Sequence, residues 1–383
     1  MPRLLYLFAL CNLVVGTGAF VISGILVPIS GSLGVSVAAS GQAMTAYALS
    51  TAVLAPLGLM LTGGWPRKRA LLTGMALFAL GNTLCALATS FPMLLAGRVL
   101  MGLGAMFTPI CAGIAVALVE PARRGRALSL VFLGISLSYV IGLPLGAWLG
   151  LRFGWQWPIA LVAAFATASC VALAVLLPRD IRAPGAGFKG LGQLLSQRPV
   201  LWTLSLTLLY FVAIFLVFSY IGPVLQALVP MSGERLSVTL MLFGLSGVAG
   251  TLVGGWANDR FGPRRSLAVQ LSVLGTMMAL LPLTQGHYPL LVATLVVWGI
   301  AGFGMMTPQQ SRLAVLAPAQ APILLSLNTS MLYFGTALGA ANGGAVSGWV
   351  GFAQMAWVGV PFALAGLATL AMSTGNRTLL KTV

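Results

Sequence analysis

Side chains that could perform acid–base, nucleophilic or metal chemistry are few in this chain of 383 residues. The four acids and the single histidine are Glu120, Asp180, Glu234, Asp259 and His287. The four cysteines, Cys11, Cys85, Cys111 and Cys170, show no CxxC spacing and no paired framework, so we interpret them as small apolar packing residues. Because there is also no Ser/His/Asp set and no phosphate-binding loop, we predict no enzymatic activity, no cofactor and no metal.

The composition indicates where the helices that carry these residues must lie. Hydrophobic residues make up 59% of the chain and charged residues 6%, whereas a soluble domain carries roughly 25% charged residues. A membrane-spanning helix needs about 20 mostly apolar residues. We therefore predict an all-α integral membrane protein with twelve spans, at 4–29, 41–64, 70–90, 92–119, 127–150, 157–177, 199–227, 237–257, 266–285, 289–312, 323–347 and 355–373.

The basic residues predict the orientation of these spans. If the N-terminus is cytoplasmic, 17 of the 20 Lys and Arg residues fall in cytoplasmic segments, two (Arg152 and Arg235) fall in outer loops, and one (Arg98) lies within a span. This bias predicts that both termini are cytoplasmic. The net charge of +16 is then explained by the anionic inner leaflet, and we predict no nucleic-acid partner because no loop could form a folded basic domain.

The two halves of the chain resemble each other in their glycine spacing. Glycines recur every four residues in the fifth span, at Gly142, Gly146 and Gly150, and in the eleventh, at Gly335, Gly339 and Gly343. Such stripes allow close helix packing. We predict two pseudo-symmetric six-helix bundles, at 1–177 and 199–373, with a cytoplasmic linker at 178–198 and a cytoplasmic tail at 374–383. Paired bundles of this kind hold substrate near the membrane midplane.

Three ordered motifs carry a family resemblance. The loop after the eighth span reads GWANDRFGPRR, which matches GxxxDRxGxRR; the fourth span reads GRVLMGLG, which matches RxxxGxG through Arg98; and the fifth span reads GLPLGAWLG. The chain resembles the major facilitator superfamily, in particular its twelve-span drug:proton antiporters and sugar and metabolite efflux permeases. The resemblance implies a monomer in a bacterial inner membrane that exports a drug, sugar or metabolite by alternating access, with protons as coupling ion.

The resemblance also implies roles for individual residues. In the fifth and eleventh spans, Gly142, Pro144, Gly146, Gly335 and Gly339 would serve helix packing. Asp259, Arg260, Gly262, Arg264 and Arg265 would form a latch that closes the cytoplasmic side. The alternative is a solvated loop whose arginines only set the topology. In the first half, Thr62 stands where the family has Asp, so we expect an asymmetric latch that is stronger in the second half.

Arg98 is the one ionisable residue that we place inside a span. A cation at the bilayer centre costs about 2.5–3.5 kcal/mol or more, so this side chain should face protein or water. We favour an anchor against a neighbouring helix. Proton coupling and binding of an anionic substrate group stay open as alternatives.

Other polar and aromatic residues are candidates for a substrate cavity. In many relatives an acid stands where this chain has Ala19, so the face of the first span is polar but cannot hold a proton. The candidate set is Asn12, Ala19, Tyr47, Arg98, Tyr139, Tyr210, Tyr220, Trp298, Gln309, Asn328 and Asn342. For each of them, helix packing is the alternative. Together they indicate an aromatic cavity with little negative charge, which favours a neutral or anionic substrate.

The scarcity of acids leaves the energy source open. If protons drive transport, they must use a carboxylate in a loop, Arg98 or the substrate itself. An uncoupled facilitator or a substrate exchanger of the same fold is the alternative. A membrane receptor or scaffold would usually carry a soluble domain, and the sequence shows none.

Overall fold

The computed structural model describes residues 4–120, 123–178, 196–317 and 320–373, and within these ranges the protein is helical and contains no strand. The first helices are α1 Leu4–Phe20, α2 Leu26–Leu33, α3 Val37–Leu61, α4 Arg67–Ala86, α5 Phe91–Gly104, α6 Phe107–Ala117, α7 Arg124–Leu137, α8 Leu143–Phe153 and α9 Gln156–Leu176. They are followed by α10 Arg198–Phe218, α11 Ile221–Leu228, α12 Gly233–Phe261, α13 Pro263–Leu280, α14 Tyr288–Gly304, α15 Met306–Leu316 and α16 Ala321–Met372. The predicted tail, Asp180 and most of the predicted linker lie outside the described residues.

Eleven stretches of the described residues are long and apolar enough to cross a membrane. The last of them, Ile323–Met372, has 50 residues, about twice what one crossing needs. Gly351, with φ +75°, breaks its helical backbone in the interval between the predicted eleventh and twelfth spans. The all-α membrane fold predicted from the sequence is confirmed, and the eleven stretches are consistent with twelve spans.

Several of the crossing stretches consist of two helices joined by an irregular turn. A 3₁₀ turn, Val21–Gly24, follows α1, and a π-turn, Ser138–Gly142, joins α7 to α8. Such interruptions leave main-chain carbonyls without their usual helical donors. They therefore create places in the membrane interior where a side chain can bond to the backbone.

Helix caps move some boundaries away from the predicted ones. Ser36 caps α3, since its hydroxyl accepts a hydrogen bond from the Ala39 amide at 3.0 Å, and the second span accordingly starts before residue 41. Ser232 accepts from the Arg235 amide at 3.2 Å in the same way at the start of α12. The predicted eighth span, 237–257, leaves Glu234 and Asp259 in loops, and this is wrong: both lie in α12, at its first and last turns. An acid in a first turn is stabilised by the helix dipole.

Equivalent glycine stripes make equivalent contacts in the two halves. A Cβ atom on Gly142, Gly146 or Gly150 would meet the side chains of Thr17, Val21 and Ile25, which are also spaced by four residues along the first span. In the second half, a Cβ on Gly335 would meet the Leu208 carbonyl and Phe211. A Cβ on Gly339 would meet the Val212 carbonyl and Leu216. The fifth span therefore packs on the first, and the eleventh on the seventh. Pro144, at the start of α8, is buried.

The chain forms two compact units. The first comprises Met1–Ala186 with Ser219–Gln226 and Pro230–Gly244, and the second comprises Gly187–Phe218, Ala227–Val229 and Leu245–Val383, in so far as these ranges are described. Most of helix α11, up to Gln226, and the start of α12 therefore belong to the first unit, although the repeat assigns them to the second half.

Three close contacts at glycines, all within the first unit, explain why these residues of α11 and α12 belong to it. Gly41 faces the ring of Tyr220, Gly222 faces the carbonyls of Ser23 and Gly24, and Gly244 faces the Tyr139 carbonyl. A side chain on any of the three glycines would prevent these approaches.

Candidate functional site

Arg98 is buried in the first unit, with 2% of its surface exposed. Its guanidinium donates to three main-chain carbonyls: Nη1 to Gly18 at 2.8 Å, Nη2 to Ala19 at 2.8 Å, and Nε to Ala43 at 3.0 Å. The first two carbonyls lie at the end of α1, just before the 3₁₀ turn, where the helix dipole is negative. The cation is thus stabilised by backbone dipoles and not by a carboxylate.

An aromatic ring and close helix packing complete the surroundings of Arg98. The guanidinium lies 4.7 Å from the ring centroid of Tyr47, a favourable cation–π distance, and Nη1 is 3.8 Å from the Met101 sulfur. Gly102 lets α5 approach α3 closely, because a Cβ there would meet Ser50. The guanidinium thus makes four donor contacts, three to carbonyls and one to a sulfur, with the five N–H groups that an arginine carries. This arrangement fits an anchor that joins α5 to α1 and α3.

Asn12 forms a second polar contact between helices of the first unit. Its Nδ2 donates to the Phe8 carbonyl at 3.1 Å, and its Oδ1 accepts from the Thr108 hydroxyl at 2.9 Å. The side chain is fully buried. It therefore joins α1 to α6 and does not face an open space within this unit.

The second unit contains a buried polar network, formed by Thr203, Thr207, Gln309 and Asn328. Gln309 Nε2 donates to the Thr203 carbonyl at 2.6 Å and to the Thr207 hydroxyl at 2.9 Å. The Thr207 hydroxyl in turn donates to Asn328 Oδ1 at 2.5 Å. Gln309 is fully buried and Asn328 nearly so. The polar network thus connects α10, α15 and α16 without any charged member.

Arg312, one turn further along α15, contacts the polar network from outside. Its Nη1 lies 3.3 Å from Gln309 Oε1, and its Nη2 donates to the Ser373 hydroxyl at 2.5 Å. Arg312 therefore links the polar network to the end of α16, just before the predicted tail.

The candidate aromatic residues are distributed over both units. In the first unit, Tyr220 is buried and its hydroxyl donates to the Ala38 carbonyl at 3.2 Å. Tyr139 is half-buried and stacks on Phe20 at 4.7 Å between ring centroids. In the second unit, Tyr210 and Trp298 are buried, whereas Asn342 is exposed. Of the candidate set, the structure brings together Arg98 with Tyr47 and Ala19, and Gln309 with Asn328.

The predicted latch residues differ in environment between the two halves. Thr62 is buried and bonds to the Gly58 carbonyl at 2.7 Å. Asp259 is exposed, and its Oδ1 accepts from Asn258 Nδ2 at 3.2 Å. Gly262, with φ +80°, separates α12 from α13, a backbone conformation that favours glycine. Arg260, Arg264 and Arg265 are exposed. Within the described ranges the one ion pair joins Glu120 to Arg123, at 3.9 Å, so Asp259 is not ion-paired there.

The family model described as Major Facilitator Superfamily matches residues 8–322 and 231–379. The chain belongs to the major facilitator superfamily.

Similar proteins agree with this assignment. The transporter is 32% identical over 374 residues to the inner membrane transport protein YdhP of Escherichia coli strain K12, covering 96% of this chain and 95% of YdhP. It is 29% identical over 356 residues to the uncharacterized MFS-type transporter YbcL of Bacillus subtilis strain 168, covering 93% of this chain and 91% of YbcL. The superfamily resemblance read from the motifs is thereby confirmed, and the protein is a multi-pass membrane transporter.

Solved structures show the same fold. A D-xylose–proton symporter aligns with a TM-score of 0.79 at 13% identity, with 97% of each chain covered. A bacterial homologue of the human lysosomal transporter Spinster aligns with a TM-score of 0.77 at 18% identity, covering 97% of this chain and 96% of the homologue. At these identities the likeness concerns the fold alone.

The polar network of this transporter can be tested by a matched pair of substitutions. Thr207→Val removes the hydroxyl that connects Gln309 to Asn328, and we expect a loss of roughly 1–3 kcal/mol in the free energy of unfolding. Thr336→Val is the control, because Thr336 is equally buried but bonds only to the carbonyl of Leu332 in its own helix, at 3.0 Å. Thermal melting in detergent measures the difference. Equal melting temperatures for the two variants would contradict a stabilising role for the polar network.

Proposed function

We propose that this superfamily transporter exports a small organic compound across a bacterial inner membrane by alternating access. Support comes from the repeated packing of the fifth span on the first and of the eleventh on the seventh. Rigid bundles related by such a repeat are the parts that a rocking carrier needs. The outward direction is supported by the resemblance of the motifs to those of efflux permeases.

The substrate is a neutral compound such as a sugar, a metabolite or a phenol. The observation that carries this proposal is the environment of Arg98, whose guanidinium is bonded to the carbonyls of Gly18, Ala19 and Ala43. It leaves no basic group free to pair with an anion in the described part of the first unit's interior. Taking an ionised group out of water without a partner charge costs several kcal/mol, so the interior of the first unit selects against charged substrates.

An acidic partner for a cationic substrate is missing as well. Glu120, Glu234 and Asp259 are exposed, and Asp180 falls in the predicted linker. Drugs with a permanent positive charge would therefore meet no counter-ion inside the predicted spans. This makes a cationic drug the least favourable class of substrate, and an anionic one the second choice after a neutral one.

The absence of an acid in the predicted spans also bears on energy coupling. A buried carboxylate is the usual proton carrier in transporters of this kind, and all four acids of this sequence lie outside the apolar interior of the predicted spans. This observation favours the second candidate function, an uncoupled facilitator or a substrate exchanger of the same fold. The proton link itself stays a prediction from the family resemblance.

Transport by purified protein in proteoliposomes tests the substrate class. Three compounds of similar size are compared: a neutral glycoside, its uronate, and its quaternary ammonium derivative. We expect the neutral compound to be transported fastest and the quaternary cation slowest. Protein-free liposomes correct for leakage. A clear preference for the quaternary cation would contradict the proposal.

A further inference from the structure

The cytoplasmic end of α9 lacks one of its own hydrogen-bond donors. In a helix, the carbonyl of residue 174 accepts from the amide of residue 178. Residue 178 is a proline, which has no N–H group. Leu177, the residue before this proline, is also extended (φ −83°, ψ 126°), so α9 has already ended there. For both reasons the carbonyl of Ala174 has no amide donor within its own helix.

Lys68 replaces this missing donor. Its Nζ lies 2.6 Å from the Ala174 carbonyl and 2.6 Å from the Leu177 carbonyl. The ammonium thus bonds to two of the carbonyls that a helix leaves free at its end. Its charge also complements the negative end of the helix dipole.

The basic residues on either side of Lys68, in the first turn of α4, make contacts within the same short segment. Arg67 Nη2 donates to the Gly63 carbonyl at 2.8 Å. The guanidinium of Arg69 lies 4.5 Å from the ring centroid of Trp65. This segment contains Thr62 where the second-half segment carries Asp259. Arg67 is buried and Lys68 half-buried, whereas Arg69 and the second-half arginines are exposed. The two related segments therefore differ in the burial of two basic side chains as well as in the acid.

We infer that the first-half loop acts as a clamp within the first bundle, in which Lys68 is a positioning residue that holds the end of α9 and fixes where the predicted linker leaves the bundle. The clamp is independent of the direction of transport and of the substrate class. Its task in alternating access is to keep the end of α9 in a fixed place within the first bundle.

Cysteine reactivity at position 177 tests the clamp. Leu177 is buried, with 2% of its surface exposed, so Leu177→Cys in a background without native cysteines should react slowly with maleimide. Adding Lys68→Met keeps the aliphatic stem but removes the donor, and we expect the reaction to become at least about tenfold faster. We also expect a lower maximal transport rate with an unchanged KM.

Two further variants make the test specific. Arg69→Met removes one charge from the same loop, and its reaction rate should stay near that of the parent. Pro178→Ala restores an amide and removes the constraint that favours the extended backbone of Leu177. We expect α9 to continue so that this amide bonds to the Ala174 carbonyl, and the double variant Lys68→Met/Pro178→Ala should regain much of the protection. Equal rates for Lys68→Met and Arg69→Met would overturn the inference, and so would a double variant as reactive as Lys68→Met.

Discussion

Arg98→Ala is expected to abolish transport and to lower the melting temperature more than the loss of any exposed arginine. The substitution removes hydrogen bonds to the carbonyls of Gly18, Ala19 and Ala43 and the cation–π contact with Tyr47. A hydrogen bond to a charged group contributes about 1.5–3 kcal/mol, and the contributions of neighbours are not additive. Since these bonds join three helices, α1, α3 and α5 should separate in the variant.

Controls separate the anchor from the two alternative roles of Arg98. Arg152→Ala removes an exposed arginine at the end of α8 and should leave both stability and transport almost unchanged. Arg98→Lys keeps the charge but cannot reproduce the fork of donors, so it should lose stability. Melting in detergent and transport are measured on the same preparations. If Arg98→Lys melted like the wild type and showed only a raised KM, Arg98 would be a substrate ligand and the anchor would be wrong.

Gly41→Ala is expected to open the side of the protein that we predict to be external. A Cβ at this position would overlap the Tyr220 ring, whose hydroxyl also accepts from Gln42 Nε2 at 3.5 Å. The ring must then leave its place over α3, and the hydrogen bond to the Ala38 carbonyl is lost with it. Ser219, next to Tyr220, is fully buried and should become accessible from outside.

An impermeant thiol reagent measures this opening on Ser219→Cys in a background without native cysteines. We expect about a tenfold faster reaction in Gly41→Ala, as expected when a closed state loses about 1.4 kcal/mol. The matched control is Gly31→Ala, because a Cβ at Gly31 has no atom within 4 Å. Tyr220→Ala should open the protein as well, and the double variant should react no faster than Tyr220→Ala alone, because the two changes act on one contact. A reaction in Gly41→Ala as slow as in Gly31→Ala would show that this contact does not hold the outer side closed.

The sequence predicted the membrane fold because apolar length and the distribution of basic residues act over whole segments. The glycine stripes also indicated close packing, and four-residue spacing on the first span matches that on the fifth. What the sequence did not reveal are bonds from side chains to the main chain. Ala19 was a candidate because many relatives have an acid at this position. In the structure its main-chain carbonyl accepts a hydrogen bond from Arg98. Because every residue has a carbonyl, the residue type could not have indicated this bond.

The same limit applies to the polar network and to the clamp. Gln309 and Asn328 were predicted as separate cavity candidates, but Thr207, which joins them, was not singled out, because threonines that bond only within their own helix are common in this chain. The contact of Lys68 with α9 spans 106 positions in the sequence. Pro178 was the available signal, since a proline directly after a helix marks a carbonyl that needs another donor.

Substrate-driven proton flux in proteoliposomes tests most directly the proposal that substrate moves without coupled protons, which the absence of an acid from the predicted spans favours. A pH-sensitive dye inside the vesicles is followed while a transported neutral compound moves down its own gradient, for the wild type and for Asp259→Asn. We predict substrate movement without a fixed ratio of protons to substrate in either protein. Acidification or alkalinisation in a fixed ratio to substrate, in the wild type, would contradict the account.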